Sequence, residues 1–379
     1  MPTADAGIVL PGRRYTVMIP SPLLSRPGAV EGGGPEAGVA AHYGDPFREQ
    51  RLLAEGQAVV DLANHGVVTV SGPDRLSWLN TLSSQLLLGL RPGQSSETLL
   101  LTVQGRIEHS VHVVDDGAVA WLITEGSEAT PLAAWLERMK FMLRVEVTDA
   151  TDAWAVLGAT RALPELGDDV VVWEDPWPSI GSGGYAYSTV DDAGHPGRER
   201  PWFEYLVPRD SLEAAVTSTG LALAGSLAAE ALRIAAWRPR HGFETDEKTI
   251  PHELDLLRTA VHLAKGCYKG QETVARVHNL GHPPRRLTFL HLDGSQHTLP
   301  AVGSAVLSEG RTVGRVTSVG HHYEMGPIAL AVLKRSADAS ADLLVQDGEE
   351  VYAAGQEVIV APDAGQVVGR ATGFLKGPR

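Results

Sequence analysis

The last quarter of the chain places the strongest limit on the fold. From Arg286 onward, short runs rich in β-branched and aliphatic residues alternate with Gly, Asp and Ser. Short runs bounded by turn residues are typical of antiparallel strands rather than of helices. They cover residues 287–292, 312–319, 328–333 and 357–360. This C-terminal region is therefore predicted to form a small all-β barrel.

Residues 41–225 mix helical and strand-like segments. Asp45-Pro46 predicts a helix start, because Asp caps a helix well and Pro is tolerated at its first position. Residues 59–70 form a β-branched run that predicts a strand. Residues 98–114 predict a hairpin turned at Gln104-Gly105, and Ser226 is expected to cap a helix over 227–237. This mixture predicts an α+β fold.

Residues 238–265 break every simple pattern. The segment is polar, contains Pro239 and Pro251, and carries Glu244, Asp246 and Glu247. A long irregular segment inside a compact protein is usually either functional or disordered. The sequence does not decide between the two.

Length and polarity indicate the general class of protein. With 379 residues the chain is expected to form two or three domains. Residues 1–40 are rich in Gly, Pro and Ala, and we expect a loose leader rather than a signal peptide, because no apolar stretch follows Arg13 and Arg14. No apolar run reaches the roughly 18 residues of a membrane span. We therefore expect a cytoplasmic protein with no membrane partner.

Charge and cysteine content exclude several functions. The chain has 32 Lys and Arg against 46 Asp and Glu, a formal net charge of −14. An acidic surface repels phosphate backbones, so direct nucleic-acid binding is not expected. A single cysteine rules out an internal disulfide framework and a multi-cysteine metal site built by this chain alone. We predict no metal site.

The single cysteine lies in an unusual eight-residue segment. The segment consists of Lys265, Gly266, Cys267, Tyr268, Lys269, Gly270, Gln271 and Glu272. Two lysines flank the thiol, and nearby cations favour the nucleophilic thiolate. The two glycines allow backbone conformations that other residues avoid. The alternative is a buried cysteine acting as a small apolar side chain, and local chemistry alone leaves both open.

This segment, continuing Thr-Val-Ala-Arg276, resembles the signature of the YgfZ-type folate-binding proteins, relatives of the glycine-cleavage T-protein. Further similarities lie at residues 67–74, at Gln104-Gly-Arg-Ile107, at 230–234, and in the barrel at 314–318 and 328–332. The resemblance implies a three-part ring-like T-protein fold. Its parts would be a first folate-binding subdomain at 41–152 and 226–285, a ferredoxin-like middle portion at 153–225, and a C-terminal β-barrel at 286–379, after the leader at 1–40.

The resemblance also implies tetrahydrofolate, or a derivative, in a central channel. Glu204 falls where the T-protein has a pterin-binding glutamate, and His65 where YgfZ relatives often have an aromatic residue. Trp237 is a candidate stacking face. Arg233 and Arg276 are candidates for the folate carboxylate tail, since guanidinium suits carboxylates. Cys267 and its motif are expected to form the reactive centre.

One departure from the T-protein pattern bears on activity. T-proteins carry a Gly-Gly-Ile-x-Asp-Asp-like stretch after the early hairpin turn, with one catalytic Asp. Here His109 and Ser110 stand at the two Asp positions, and Glu108, one position earlier, is expected to face the other way. We therefore expect no ordinary glycine-cleavage aminomethyl transfer.

Three functions remain open. The first is folate binding coupled to assembly or maintenance of iron–sulfur proteins, including radical enzymes that modify tRNA, through Cys267. The second is a folate-dependent aminomethyltransferase or other one-carbon transferase that uses another base. The third is a docking scaffold for client proteins that is regulated by folate.

Overall fold

The structure is a computed structural model that describes residues 19–365. Its α-helices are α1 Pro46–Ala54, α2 Arg75–Leu82, α3 Gly126–Met139, α4 Leu212–Thr219, α5 Ser226–Ala235 and α6 Gln271–Leu280. Its strands are β1 Val30–Glu31, β2 Ala40–His42, β3 Ala58–Asp61, β4 His65–Ser71, β5 Ser95–Leu101, β6 Ile107–Asp115, β7 Val119–Glu125, β8 Glu146–Asp149, β9 Trp154–Ala159, β10 Val171–Glu174, β11 Phe203–Pro208, β12 Ala222–Ala224, β13 Arg285–Leu292, β14 Ala305–Ser308, β15 Arg311–His322, β16 Gly326–Lys334, β17 Leu343–Asp347 and β18 Glu350–Val358. The predicted α+β class is confirmed.

The first sheet is antiparallel, with strand order β5-β6-β7-β4-β8. Helices α2 and α3 cover one face, where Val68 and Val70 pack with Trp78 and Leu132. Along β6, buried residues alternate with half-buried ones from residue 107 to 112. Because successive side chains of a strand point to opposite faces, the second face of β6 is free to line the interior of the molecule.

The second sheet has the order β10-β11-β9-β3-β12, with only the β3–β12 pair parallel. It takes β3 from the region that we assigned to the first subdomain. The strand predicted over 59–70 is therefore two strands, since β3 and β4 belong to different sheets. Sequence pattern could not show this break, because residues 62 and 63 between the two strands are apolar as well.

Residues 19–40 differ from the expected loose leader. Short 3-10 turns at Pro22–Ser25 and Gly34–Glu36 alternate with β1 and β2. Leu23 and Val39 are fully buried and pack in one cluster with residues of the second sheet. Two apolar side chains suffice to fix a Gly- and Pro-rich stretch whose turns are already favoured. Residues 1–18 of the predicted leader lie outside the described residues.

The C-terminal barrel is confirmed. Six strands close in the order β13-β16-β15-β14-β17-β18, so that no strand edge is left open within this barrel. Its interior is apolar and includes Leu290, Val306, Val316 and Tyr352. The barrel strands occupy residues 285–358, close to the predicted boundary, and residues 366–379 lie outside the described part of the chain.

The irregular segment that follows α5 connects all three parts. Thr259 donates to Glu97 on β5 over 2.6 Å, and Thr317 of the barrel donates to Glu244 over 2.8 Å. Arg238 lies 3.1 Å from Asp175, which follows β10 of the second sheet. Glu244 is fully buried. Of the two alternatives for this segment, disorder is excluded, because its polar groups find partners on every side.

Candidate functional site

A central cavity lies where the two sheets and the irregular segment meet. Charged side chains dominate its wall. They are Glu36, His65, Glu97, His112, Glu125, Asp175, Arg200, Glu204, Glu230, Arg233, Arg238, Arg240 and His241.

Glu204 is a carboxylate of the cavity wall that is held in its ionised state. It lies on β11, with 3% of its side chain exposed. His112 Nδ1 lies 2.8 Å from one carboxylate oxygen, and Trp202 Nε1 donates to the other over 3.2 Å. Burial raises the pKa of Glu204, but the charge and hydrogen bond of His112 outweigh burial and lower that pKa to about 2. Glu204 is therefore a permanent buried anion in the cavity wall.

His112 is positioned by two contacts. It lies on the interior face of β6, and its ring stacks on Trp173 with a centroid distance of 3.7 Å and an interplanar angle of 1°. Glu204 binds its Nδ1. Burial lowers the pKa of His112, but the charge and the hydrogen bond of Glu204, together with the charge of Glu97, outweigh it and raise the pKa above its usual value of 6.5. The charged imidazolium is therefore favoured at pH 6.5 and below.

A second ionic cluster closes another side of the cavity. Arg238 lies 3.0 Å from Glu97 and 3.1 Å from Asp175. Burial raises the pKa of Glu97, but the charges of Arg238 and His112 and the hydrogen bonds from Thr259 and Arg238 together outweigh burial, and the pKa falls below its usual value. For Asp175, burial dominates and raises the pKa. Breaking such a buried cluster is costly, because an unpaired charge would remain.

Arg233 lines the cavity but is saturated by protein partners. Its Nε donates to Glu230, its Nη1 to Glu244 and to the carbonyl oxygen of Arg238, and its Nη2 to Glu230 and Ser318. All five N–H groups of the guanidinium are used. Arg233 therefore connects α5, the irregular segment and the barrel, and these contacts do not support the expected binding of a folate tail.

Arg200 is a better candidate for an incoming anion, and sequence reasoning missed it. Its guanidinium lies over the Trp202 ring at 4.0 Å, and its nearest carboxylate, Asp175, is 3.8 Å away. Its buried Nε has no hydrogen-bond partner. Burial lowers the pKa of Arg200 to about 10 despite Asp175. A buried donor without a partner is costly, so a ligand carboxylate or carbonyl would satisfy it.

The structure brings together only some of the predicted folate residues. Glu204, His65 and Arg233 all line the cavity. Trp237 does not: it is buried in an apolar cluster, 6.4 Å from the Phe289 ring. Arg276 is exposed on α6, also outside the cavity wall. The predictions for Trp237 and Arg276 therefore find no support in this geometry.

The cysteine motif forms a separate site. Cys267 and Gly266 are exposed, Tyr268 is buried, and none of the residues 265–272 lines the central cavity. Gln271 donates to the carbonyl oxygen of Lys265 over 3.2 Å, and Glu272 is exposed in the first turn of α6. The interpretation of Cys267 as a buried apolar side chain is wrong.

The two motif lysines are committed to other partners. Lys265 is buried and donates to the carbonyl oxygens of Asn80, Ser83 and Gln85 over 2.6–2.7 Å. Burial lowers its pKa to about 8. Lys269 lies 2.9 Å from Glu108. The expected activation of the thiol by free neighbouring cations is therefore not supported, since both ammonium groups have acceptors of their own.

The β6 residues clarify the departure from the T-protein pattern. Ser110 lines the cavity, whereas His109 faces the opposite side, where its Nδ1 lies 3.1 Å from Glu128. Glu108 faces away from the adjacent His109, as expected from its offset of one position, and shares the face of Ser110 and His112. Its carboxylate nevertheless binds Lys269 and does not line the cavity. No β6 carboxylate lines the cavity at residues 107–112.

Sequence reasoning also missed His112, Glu97 and Arg238. His112 lies on the face of β6 opposite His109, because their odd spacing requires it. Its partner Glu204 lies 92 positions away along the chain. No local pattern signals a contact at that separation. Among residues 19–365, no group of three or more His, Cys, Asp and Glu is arranged to hold a metal ion.

The arrangement of two sheets, a closed barrel and a charged central cavity defines the T-protein fold. Residues 44–160 match the family model of the GCVT N-terminal domain. The solved structure of glycine cleavage system aminomethyltransferase T from Bartonella henselae superposes with a TM-score of 0.68 at 18% identity, covering 89% of this chain and 94% of that chain. At this identity the likeness shows the fold alone.

Curated relatives agree with this fold. The Arabidopsis thaliana protein named "Putative transferase At1g60990, chloroplastic" is 26% identical over 353 residues, covering 87% of this chain and 77% of the relative. The aminomethyltransferase of Nostoc sp. PCC 7120 is 28% identical over 300 residues, covering 75% and 78%. Within residues 19–365, no helix has the length and apolar character needed to cross a membrane.

Proposed function

We propose that this protein is a folate-binding protein of the YgfZ type, which holds a tetrahydrofolate in its central cavity. The observation that carries the proposal is Glu204, a buried anion in the wall of the central cavity. Carboxylates accept hydrogen bonds from the N–H groups of a pterin. The unpartnered Nε of Arg200 provides a donor for a carbonyl or for the carboxylate tail.

We further propose that the protein supports the assembly or maintenance of iron–sulfur proteins, including radical enzymes that modify tRNA, through Cys267. Two features support this part. The thiol is exposed, and Lys265 anchors its loop on three backbone carbonyls. A thiol on a firmly held, exposed loop is accessible to a partner protein. We place this work in the cytoplasm.

Ordinary aminomethyl transfer fits the cavity less well. His109 and Ser110 occupy the two Asp positions of the resemblance, only Ser110 of the two lines the cavity, and the carboxylate of Glu108 is bound to Lys269. One observation favours a different one-carbon transfer as a second candidate. His112, oriented by Glu204 and exposed on 24% of its side chain, has the arrangement of a general acid, because its charged ring can donate a proton from Nε2. When bound, a reduced folate would supply the nitrogen that carries the one-carbon group.

Folate binding is tested by isothermal titration of tetrahydrofolate into the wild-type protein, a Glu204→Gln variant and an exposed control, Glu137→Ala. We expect the wild type and the control to bind alike, with a rise in melting temperature, because a ligand selective for the folded state stabilises it. Glu204→Gln should lose about 10-fold or more in affinity, since it removes a charged acceptor. Absence of wild-type binding at millimolar ligand would overturn the proposal.

The role of Cys267 is tested in a strain lacking this protein. Cys267→Ser should bind tetrahydrofolate as the wild type does, because Cys267 lies outside the cavity wall, yet fail to restore iron–sulfur enzyme activity. Full restoration by Cys267→Ser would contradict the proposed role. A glycine-cleavage assay with the lipoyl partner protein should give no substantial turnover, and robust turnover would favour aminomethyl transfer instead.

A further inference from the structure

The connection between α3 and β8 exposes an unusual run of apolar side chains. Phe141 and Met142 are 88% and 84% exposed, more than any other large apolar residue among residues 19–365. Met139 and Leu143 beside them are exposed as well. Residues 139–143, which we call the apolar loop, therefore place four large apolar side chains on the surface. Contiguous exposed patches of this kind mark interaction sites, whereas single exposed apolar residues do not.

The fold holds the apolar loop in a defined conformation. Arg144, which follows the loop, donates from its backbone N–H and from Nη2 to the carboxylate of Asp74 over 2.9 and 2.7 Å. Within the loop, Leu143 N donates to the carbonyl oxygen of Lys140 over 2.9 Å. Phe141 has a φ of +44°, a backbone region that bulky residues rarely adopt. Backbone strain of this kind is most common at functional sites.

Cations are interleaved with the apolar residues of the loop. Arg138, Lys140 and Arg144 lie within or beside it, and residues 138–144 contain no acidic residue, although the chain has a net charge of −14. The pair between Lys140 and Glu137 is solvent-exposed, and such pairs are weak enough to be exchanged. Aromatic residues, Met and Arg are enriched in protein–protein interfaces. The segment is therefore complementary to an apolar groove with an acidic rim.

Helix α2 connects the apolar loop to the cysteine motif. Arg144 binds Asp74 at the N-terminal end of α2, and Lys265 binds the carbonyl oxygen of Ser83 just beyond its C-terminal end. An eight-residue helix is about 12 Å long. The base of the apolar loop and the start of the motif are therefore anchored at the two ends of one short helix.

Helix α3 provides a second connection. Lys269 Nζ, two residues from Cys267, lies 5.8 Å from the ring centroid of the half-buried Trp135. Met139 follows Trp135 by four residues on α3, so the two are neighbours on one helix face. A typical protein interface buries about 800 Å² on each partner. A protein docked on the apolar loop would therefore also cover the region of Cys267.

We propose that the apolar loop is the docking surface for the iron–sulfur proteins that Cys267 serves. Phe141 and Met142 insert into an apolar groove of the partner, and Arg138 and Lys140 pair with carboxylates at the rim of that groove. Met side chains adapt to surfaces of different shape, which suits binding to several partners. The inference rests on the proposed role of Cys267 and adds to it the surface that recognises the partner.

Two other occupants fit the apolar loop less well. An anionic lipid surface would meet the exposed carboxylates of Glu137 and Glu146 beside the cations, on a chain whose net charge is also negative. A second copy related by a two-fold axis would bring the cations of one loop against the same cations of the other, and like charges oppose association. A partner protein with an acidic rim meets neither obstacle.

The experiment expresses loop variants at matched levels in a strain lacking this protein and measures iron–sulfur enzyme activity. Phe141→Asp should restore less than about a fifth of the activity that the wild type restores, because a charge at the centre of an apolar contact costs about 10-fold or more in affinity. Leu344→Asp, at an exposed apolar position of β17 on the barrel, is the matched control and should restore activity fully. Both variants should bind tetrahydrofolate as the wild type does, because neither residue lines the cavity.

The expression level separates docking from chemistry. Weak docking is overcome by mass action, so the activity restored by Phe141→Asp should rise with its expression level, whereas Cys267→Ser should stay inactive at every level. Full restoration by Phe141→Asp at the matched level, or a defect that does not respond to expression, would overturn the inference and leave the role of Cys267 intact. Full restoration by Cys267→Ser would overturn that role and the inference with it.

Two measurements on the purified protein test the other occupants. The wild type should not sediment with vesicles of phosphatidylglycerol and phosphatidylethanolamine. In sedimentation velocity, the wild type and Phe141→Asp should show the same oligomeric state. Vesicle binding or self-association that is lost in Phe141→Asp would assign the apolar loop to a lipid surface or to a second copy, and either result would overturn the proposal.

Discussion

The ammonium nitrogen of Lys265 lies 2.7 Å from the carbonyl oxygen of Ser83, just beyond the C-terminal end of α2. Asn80 and Gln85 provide two more carbonyl acceptors. The last carbonyls of a helix have no partner within the helix, and its C-terminus favours a cation. Lys265 therefore caps α2 and fixes the start of the Cys267 loop.

Lys265→Met should lower the free energy of unfolding by about 2–4 kcal/mol, because several buried carbonyl oxygens lose a charged donor. Lys269→Met is the control in the same motif. It removes a pair in which both side chains are about one third exposed, and it should cost about 1 kcal/mol or less. Urea denaturation measures both. Equal losses in the two variants would show that Lys265 is not a structural cap.

The two motif glycines should differ sharply in their tolerance of alanine. Gly270 has a φ of +86°, and a Cβ there would lie 2.5 Å from the carbonyl oxygen of Thr102. Gly266 has open space around its position. Gly270→Ala should destabilise the protein by about 2 kcal/mol or more, and Gly266→Ala by about 0.5 kcal/mol or less. Thermal denaturation checks this, and a stable Gly270→Ala protein would contradict it.

Arg233 should act on stability rather than on recognition of the folate tail. Arg233→Met removes the guanidinium partner of the fully buried Glu244 and one of the two guanidinium partners of Glu230, and it should cost about 3–5 kcal/mol. The exposed Arg276→Met should be nearly neutral. The gentler Arg233→Lys variant should bind tetrahydrofolate and tetrahydropteroate, which lacks the tail, in the wild-type affinity ratio. A selective loss of tetrahydrofolate affinity would show that Arg233 contacts the tail.

The Glu204–His112 pair should make the stability of the protein depend on pH. The pKa of Glu204 is lowered from 4.5 to about 2, so its contribution is lost as the pH falls from about 4.5 to 2. The pKa of His112 is raised, so its contribution is lost as the pH rises above 6.5 and through the raised pKa. The free energy of unfolding of the wild type should exceed that of Glu204→Gln by about 2–3 kcal/mol near pH 5–6.5, and by less at lower and at higher pH. A difference that does not change with pH would contradict this.

The sequence alone determined those elements that depend on interactions between residues close together in the chain. The barrel was predicted from strand-length runs and turn residues. Helix α1 was predicted from Pro46 and from the capping Asp45, and the side chain of Asp45 accepts from Arg48 N over 3.0 Å. The eight-residue motif identified Cys267 and a family resemblance. It could not show that Lys265 and Lys269 would be committed to distant acceptors, because those acceptors are more than 150 positions away along the chain.

Only the tertiary structure determined which side chains line the cavity and which of them are available to a ligand. Glu204 was predicted from the resemblance, but its charge state depends on His112, which the packing of the two sheets against each other brings within hydrogen-bond distance. The same packing saturates Arg233, buries Trp237 elsewhere and leaves Arg200 with an unpartnered donor. Helix caps and turns are determined by neighbours in sequence. The charge state and availability of a buried side chain are determined by whatever the fold places beside it.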